Sequence, residues 1–234
     1  KNDTIRGEGK IVGAGRTLAN AIIEKESPLI DQEREQLSLY LAAGRRRGRL
    51  INISNCSNVI LDGLYFSQSP AWNIHFIYSN NVLTHKCYFE SHDIHNGDGW
   101  DPDSSHDCAI FGCTFDTGDD CVAVKSGRNP DGNIINIPTY NIEVFDCKSI
   151  KGHGMAVGSE VSGGVYNINI YDCDFTYTQY GLHIKSTRKR GGYIKNINVE
   201  NCSFGSINIH RVPYNDDGPN SGTLTSFENF YFKD

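Results

Sequence analysis

The stretch from 116 to 125, Asp-Thr-Gly-Asp-Asp-Cys-Val-Ala-Val-Lys, carries the residues best placed for chemistry. Two adjacent carboxylates, Asp119 and Asp120, precede a run in which Val122 and Val124 alternate with Ala123 and Lys125. That alternation reads as a strand with one buried face. Neighbouring acids repel, so one is readily pushed to a raised pKa while the other stays ionised. Such a pair supplies a proton donor and a water activator at a single pH. A lone Gly-Asp-Asp is more often a surface Asx turn, so the case for chemistry rests on its surroundings.

Three other stretches gather polar groups in the same manner: Asn96-Gly97-Asp98-Gly99-Trp100-Asp101-Pro102, Lys151-Gly152-His153-Gly154-Met155 and Tyr180-Gly181-Leu182-His183-Ile184-Lys185, the last followed by Arg188, Lys189 and Arg190. Leu182 and Ile184 alternate with His183 and Lys185, which places the polar pair on the outer face of a strand. Other residues have plainer readings. Trp72 and Trp100 are expected to be packing residues. Asp101 and Asp103, with Pro102 between them and no further spaced acids, read as a turn rather than a cation loop. His75, His85, His92, His95, His106 and His210 follow no metal-binding spacing. Glu160 is explained as well by exposure as by a place in a cleft, and GRRRGR at 44–49 reads as a solvated face.

The elements that must position these groups are visible as a repeat. NVILDGLYF, NVLTHKCYF, DCAIFGCTF, NIEVFDCKS, NINIYDCDF and NINVENCSF begin at residues 58, 81, 107, 141, 167 and 196 and align without gaps. Their starts lie 23, 26, 34, 26 and 29 residues apart. That period, in units of strands without a long helix, predicts a parallel β-helix. Positions two, four, seven and nine point inward once the central turn shifts the phase. Cys87, Cys113, Cys147, Cys173 and Cys202 share one site with Leu64, so they are expected to form a buried stack of thiols rather than a disulfide framework. Cys56, Cys108 and Cys121 are left open to one pairing. The Asn at position one predicts an amide ladder at a corner where left-handed backbone is cheap.

Four stacked rungs would bring Asp98, the Asp119–Asp120 pair, His153 and the His183/Lys185 strand onto one wall, spanning roughly 14 Å. Outside the repeat, residues 1–15 fit only loosely, and the apolar spacing over 17–41 predicts a helical insertion interrupted at Ser27-Pro28. A further strand is expected at Ile207–Arg211 and a last one in FENFYF. A length of 234 residues makes one domain the default. The net charge of −6 and pI near 5.7 argue against a nucleic-acid coat. No apolar run approaches the roughly 18 residues that span a bilayer. A start inside a repeat and the lack of a polar cap suggest a single domain over 1–234 truncated at both ends.

The constellation resembles glycoside hydrolase family 28, the polygalacturonases and related pectin hydrolases. NGDG is similar to the family's Asn-Thr-Asp-Gly, GDD to its Gly-Asp-Asp, GHG to its Gly-His-Gly and HIK to its Arg-Ile-Lys; RLINISNCSNV and Ser69-Pro70-Ala71-Trp72 look like its first coils. The resemblance implies a right-handed parallel β-helix and hydrolysis of α-1,4-linked galacturonic acid with inversion. It implies that Asp119 protonates the leaving oxygen, that Asp98 and Asp120 hold and activate water, and that His153 helps keep Asp119 protonated. Lys185 would pair with a sugar carboxylate. His183, Arg188, Lys125 and Asn96 complete the expected substrate-binding set, since an anionic polymer needs cations beside an acidic centre. No cofactor or metal is implied; the partner is a galacturonan, with no nucleic acid or membrane, and the protein would be a secreted or periplasmic monomer. Two departures stand out. Gly97 replaces Thr, read as a loop change of little chemical weight, and His183 replaces the Arg, leaving a weaker and pH-dependent partner.

Two other readings compete with hydrolysis. One is a calcium-dependent pectate lyase, which needs a carboxylate cluster and an Arg or Lys base. The other is a non-catalytic β-helix for adhesion or carbohydrate binding, in which the polar motifs are ladder ornaments.

Overall fold

A computed structural model describes residues 2–26, 47–215 and 218–234. Among the described residues seven coils each contribute one strand to each of three sheets, and Ser226–Lys233 adds an eighth strand to the first sheet. The first coil is built from Asp3–Arg6, Lys10–Val12 and Ile51–Ser54, the second from Ser57–Asp62, Tyr65–Ser67 and Ile74–Ile77. Paired strands run parallel from coil to coil. The winding is a right-handed parallel β-helix, the hand that a parallel crossover favours. Residues 3–6 and 10–12, which fit the repeat poorly in sequence, are nonetheless regular rungs, with Asp3 opposite Val59 and Lys10 opposite Tyr65. Both expected late strands exist, at Ile207–Arg211 and Ser226–Lys233.

The corners follow from residue choice. Asn58, Asn81, Asp107, Asn141, Asn167 and Asn196 all have φ between +52° and +59°, a region that Asn and Asp enter at low cost. Each free amide then bonds to the coil before it: Asn81 Nδ2 donates to Asn58 Oδ1 at 3.1 Å, Asn167 to Asn141 at 3.3 Å, and Asn196 to Asn167 at 3.0 Å. Asn2 and Asn229 extend this ladder beyond the six aligned segments. Asp107 accepts from Asn141 at 2.8 Å but, as a carboxylate, donates nothing toward Asn81.

Inside, Tyr88 N–H bonds the Leu64 carbonyl, and Thr114, Lys148, Asp174 and Ser203 bond those of Cys87, Cys113, Cys147 and Cys173 in turn, which lines up the five thiols. All eight cysteines are free, Cys56, Cys108 and Cys121 included, so the pairing left open among those three does not form. Cys108 occupies the second position of its segment, in the core, and Cys121 is buried beneath the acidic turn. Phe66, Phe89 and Phe115 stack at centroid distances of 5.2 and 4.9 Å. Where Ser149 replaces the next Phe, Phe115 and Phe175 approach to 6.3 Å across the missing ring. Roughly 25 cal/mol per Å² of apolar area buried along these stacks is the main force holding the coils together.

The insertion leaves the solenoid as helix α1 (Gly15–Glu26), and the rest of the expected helical stretch, with the Ser27-Pro28 interruption, lies outside the described residues. Arg16 anchors α1 by bonding Glu90 at 2.6 Å and Asp93 Oδ1 at 2.7 Å. A short helix α2 (Asp131–Ile135) follows the strand that starts at Asp120.

Candidate active site

Third-sheet strands Trp100–Asp103, Asp120–Val124, Gly154–Val157 and Leu182–Ser186 pair in that order. Asp98, Asp119–Asp120, His153 and Lys185 therefore stand on four successive coils. Main-chain bonds stitch the turns that carry them: Gly99 N–H to the Asp120 carbonyl at 3.0 Å, His153 N–H to that of Asp119 at 2.8 Å, and Tyr180 N–H to that of His153 at 3.0 Å. The glycines flanking His153 make this approach feasible. Gly152 and Gly154 have φ of +137° and +112°, and a Cβ would meet Thr117 Oγ1 at 2.3 Å or the Gly181 carbonyl at 2.2 Å.

The side chains converge. His153 Nδ1 lies 2.9 Å from Asp119 Oδ1 and 3.9 Å from Asp120 Oδ1. Lys185 Nζ bonds Asp120 Oδ2 at 2.9 Å and Oδ1 at 3.3 Å. Lys125 Nζ is 3.7 Å from Asp98 Oδ2, and Asn96 Nδ2 is 3.4 Å from Asp119 Oδ2. They line a cleft of about 1120 Å³ with a recess of about 180 Å³. Asp98, Asp120 and Lys125 form part of the recess, and Asp119, Asn96 and Lys185 face both spaces.

Burial drives the Asp98 carboxyl well above the usual carboxylate range, with Asp101 and Asp119 pushing further and Lys125 opposing. Asp119 behaves in the opposite way. Burial raises it, but the His153 hydrogen bond and charge, then Lys185 and Lys125, outweigh that and bring it down to about 2. Desolvation pulls His153 down, yet Asp119 and Asp120 raise it overall. This runs against the expectation that His153 keeps Asp119 protonated: an imidazolium 2.9 Å from a carboxylate stabilises the charged form. Lys185 and Lys125 are both raised, burial being overcome by the surrounding carboxylates.

Two expected binding residues are placed elsewhere. His183 points outward, but its ring sits under Tyr180 at 4.6 Å and its Nε2 lies 3.0 Å from His210 Nε2. Burial, then Lys185 and His210, lower its pKa to about 3, and His183 is absent from the walls of both the cleft and the recess. Arg188 is exposed and absent from the walls of both spaces; Arg190 is buried and lines the recess instead. Trp100 packs in the core with its indole N–H on Thr84, whereas Trp72 faces the cleft. Glu160, Tyr214, Arg47 and Arg49 also line it. Of these, Arg47 and Arg49 belong to the GRRRGR run that was read as a solvated face. Their signal was position, since the run feeds directly into the first third-sheet strand. Gly97 carries more weight than a loop change: a Cβ there would meet the Ile94 carbonyl at 2.6 Å and that of Ser91 at 2.9 Å, so the loop before Asp98 closes only around glycine.

Two groups of potential metal ligands exist among the described residues, Glu90–His92–Asp93 and Asp119–Asp120–His153. Each already holds a cation, the Arg16 guanidinium in the first and the Lys185 ammonium in the second. Asp101 and Asp103, expected in a turn, are instead buried in the strand Trp100–Asp103; Asp103 accepts from Gly127 N–H at 2.8 Å and lies 3.5 Å from His75 Nε2. No helix among the described residues is long and apolar enough to cross a membrane.

A stack of parallel coils with an acidic cleft on one wall defines the class, and comparison with known proteins agrees. The family model described as glycosyl hydrolases family 28 matches residues 4–219. The chain belongs to that family. It is 31% identical over 215 residues to a probable polygalacturonase of Vitis vinifera, covering 86% of this chain and 44% of the relative. An exo-poly-alpha-D-galacturonosidase of Dickeya chrysanthemi is 26% identical over 113 residues, or 48% of this chain and 19% of that protein. Among solved structures, a hyperthermoactive exopolygalacturonase from Thermotoga maritima superposes with a TM-score of 0.76 at 29% identity, over 92% of this chain and 55% of that one. A family 28 exopolygalacturonase of Yersinia enterocolitica shares the fold at a TM-score of 0.78 and 22% identity, over 99% of this chain and 47% of that one. The chain spans less than half the length of the two sequence relatives.

Proposed function

We propose that the protein hydrolyses α-1,4 galacturonosidic bonds in polygalacturonate or pectin, with inversion, and works outside the cytoplasm where that polymer lies. The observation that carries this reading is the convergence of Asp98, the His153–Asp119 pair and the Lys185–Asp120 pair in one cleft. His153 and Asp119 hold one proton between them and titrate as a unit. The reactive state has that proton on Asp119, which passes it to the leaving oxygen while His153 is neutral. Asp120, fixed by Lys185, and Asp98 hold the attacking water, and Asp120 takes up its proton. Lys185, at the floor of the cleft, also attracts the carboxylate of the bound sugar.

The test is Asp119→Asn and Asp98→Asn, each expected to lower turnover on polygalacturonate by a factor on the order of 10² or more while oligogalacturonate binding persists. Near-normal rates in both variants would overturn the assignment. New reducing ends without growth of ultraviolet absorbance separate hydrolysis from elimination, and the anomer released first, read by proton NMR, reports inversion. Monomer as sole product marks exo action, and a ladder of oligomers marks endo action.

A further inference from the structure

The cleft extends past the reactive carboxylates toward the first two coils, and that end is lined by cations the proposed reaction does not use. Arg49, just before the strand Ile51–Ser54, lays its guanidinium over the Trp72 ring at 4.0 Å from the centroid. Arg49 is exposed, and among the described residues nothing forms a hydrogen bond or ion pair with it. Its planar donors are therefore displayed on an aromatic platform at the cleft wall. Arg47 lies beside it in sequence and also lines the cleft, yet it is only 5% exposed. One of its nitrogens is satisfied, Nη2 bonding the His95 carbonyl at 2.6 Å, while Nε and Nη1 are buried with no partner. A buried guanidinium with two idle donors beside a cleft is costly unless an anion meets it. Lys125 Nζ, 4.7 Å from the Trp72 ring centroid and 3.7 Å from Asp98, adds positive charge between this end and Asp98.

We infer that Arg49, Trp72 and Arg47 form an anion subsite that takes the carboxylate of a uronate residue distinct from the one facing Lys185. The placement supports this. Arg49 and Trp72 stand on the first and second coils and Asp119–Asp120 on the fourth, so their main-chain positions are two to three strand spacings, about 10–14 Å, apart, with Trp72 reaching from the cleft to the edge of the recess. Lys185 comes from two coils further on, but its ammonium reaches back to Asp120 and faces the recess, whereas Arg47 and Arg49 line the cleft and not the recess. A sugar seated in the recess faces Lys185, and the next residue of an oligomer laid along the cleft meets Arg49 and Arg47. Arg49 would grip the carboxylate through two parallel N–H donors, the geometry in which a guanidinium recognises that group best, while the face of Trp72 supports the ring. This assignment rests on the galacturonan reading above and adds to it a requirement for free acid at a second sugar.

The experiment measures binding of trigalacturonate and of its fully methyl-esterified form by calorimetry, in an Asp119→Asn background that stops turnover. Adding Arg49→Ala is expected to raise the Kd for trigalacturonate about tenfold and to leave the Kd for the ester within about twofold. Arg49→Lys, which keeps the charge but not the fork, should fall between. Arg49 is chosen because Arg47 also fastens the loop that carries Asn96, so its removal would disturb Asp119 as well. Equal losses for acid and ester, or no loss for either, would overturn the subsite. A parent that releases reducing ends from polygalacturonate while Arg49→Ala is indifferent sinks the subsite alone; a parent that neither cleaves the polymer nor binds either trimer overturns both readings.

Discussion

His153 is tied to Asp119 twice, by its main-chain N–H on the Asp119 carbonyl at 2.8 Å and by Nδ1 at 2.9 Å from Oδ1. The first bond fixes the rung, so the second is aimed before any substrate arrives. The pair also couples folding to pH. His153 is raised above its ordinary 6.5, so its contribution is complete below that value and is lost as pH rises through the raised one. Asp119 is lowered from 3.8 to about 2, so its contribution is complete above 3.8 and is lost as pH falls toward 2.

His153→Gln keeps a donor beside Asp119 and removes the charge. Stability measured by urea unfolding should drop by about 2 kcal/mol at pH 5.5 and by much less at pH 9. The turnover of the variant should fall by about 10², and the alkaline limb of the parent's pH profile, where the pair loses its shared proton, should disappear. An unchanged alkaline limb would show that His153 is not part of the titrating unit.

Lys185 presents a different balance. Its ammonium and the Asp120 carboxylate are both buried, with side chains 9% and 5% exposed, and each neutralises the other. Lys185→Met should cost about 3–5 kcal/mol, because Asp120 is left charged and buried. The double variant Lys185→Met with Asp120→Asn should recover much of that loss, although neither protein would turn over substrate. Thermal melts of the three variants check the non-additivity; equal, additive losses would mean the pair has no energetic coupling.

Much of this arrangement was legible in the chain because the repeat fixes it. Asn at position one, an inward Cys at position seven and Phe at position nine impose a register. Once the register is set, Asp98, Asp119 and His153 must share a wall, whatever loops lie between them. The parts that escaped were those the register does not govern. His183 occupies an outward position as expected, but whether an outward side chain reaches the cleft depends on its cover, and Tyr180 with His210 closes over it. Arg47 and Arg49 precede the aligned repeats, so composition alone assigned them to solvent. The reversal at Asp119 has the same origin: residue type names a carboxylate and an imidazole, and only their 2.9 Å separation decides which form each prefers.

The thiol stack gives a sharper test of the core. Cys87, Cys113 and Cys173 each have a carbonyl two residues back within 3.2–3.3 Å of Sγ, at His85, Phe111 and Tyr171. Cys147 has a weaker contact, 3.9 Å to the Ile110 carbonyl of the preceding coil. A serine hydroxyl, on a shorter bond, can exploit the close carbonyls better than the distant one. Cys147→Ser should therefore be the most costly of the four, at about 2 kcal/mol, and Cys147→Ala somewhat cheaper. Denaturation with and without a thiol reductant should give the same midpoint for the parent, since no bridge exists to break.

Asp107 interrupts the external amide ladder, and repairing it should stabilise the fold. At φ +55° it holds the same left-handed corner as the asparagines above and below. It accepts from Asn141 Nδ2 and from the His106 ring at 2.7 Å, and these partners, in that order, keep its pKa below the usual range. It has no proton to give Asn81, whereas Asn141 and Asn167, two and three coils beyond Asn81, each donate on one side and accept on the other. Asp107→Asn supplies that missing donor, still accepts from Asn141, and sacrifices an ion pair whose carboxylate is 46% exposed and so contributes little. One added hydrogen bond is worth about 0.5–1.5 kcal/mol, or about 2–4 °C per kcal/mol in a chain of this size. Because a carboxylate with a lowered pKa gives up its contribution as pH falls, the advantage of the amide should widen from pH 7 to pH 3.5. Melting both proteins at the two pH values decides the matter: a variant no more stable than the parent at either would mean that the corner ladder contributes nothing at this rung.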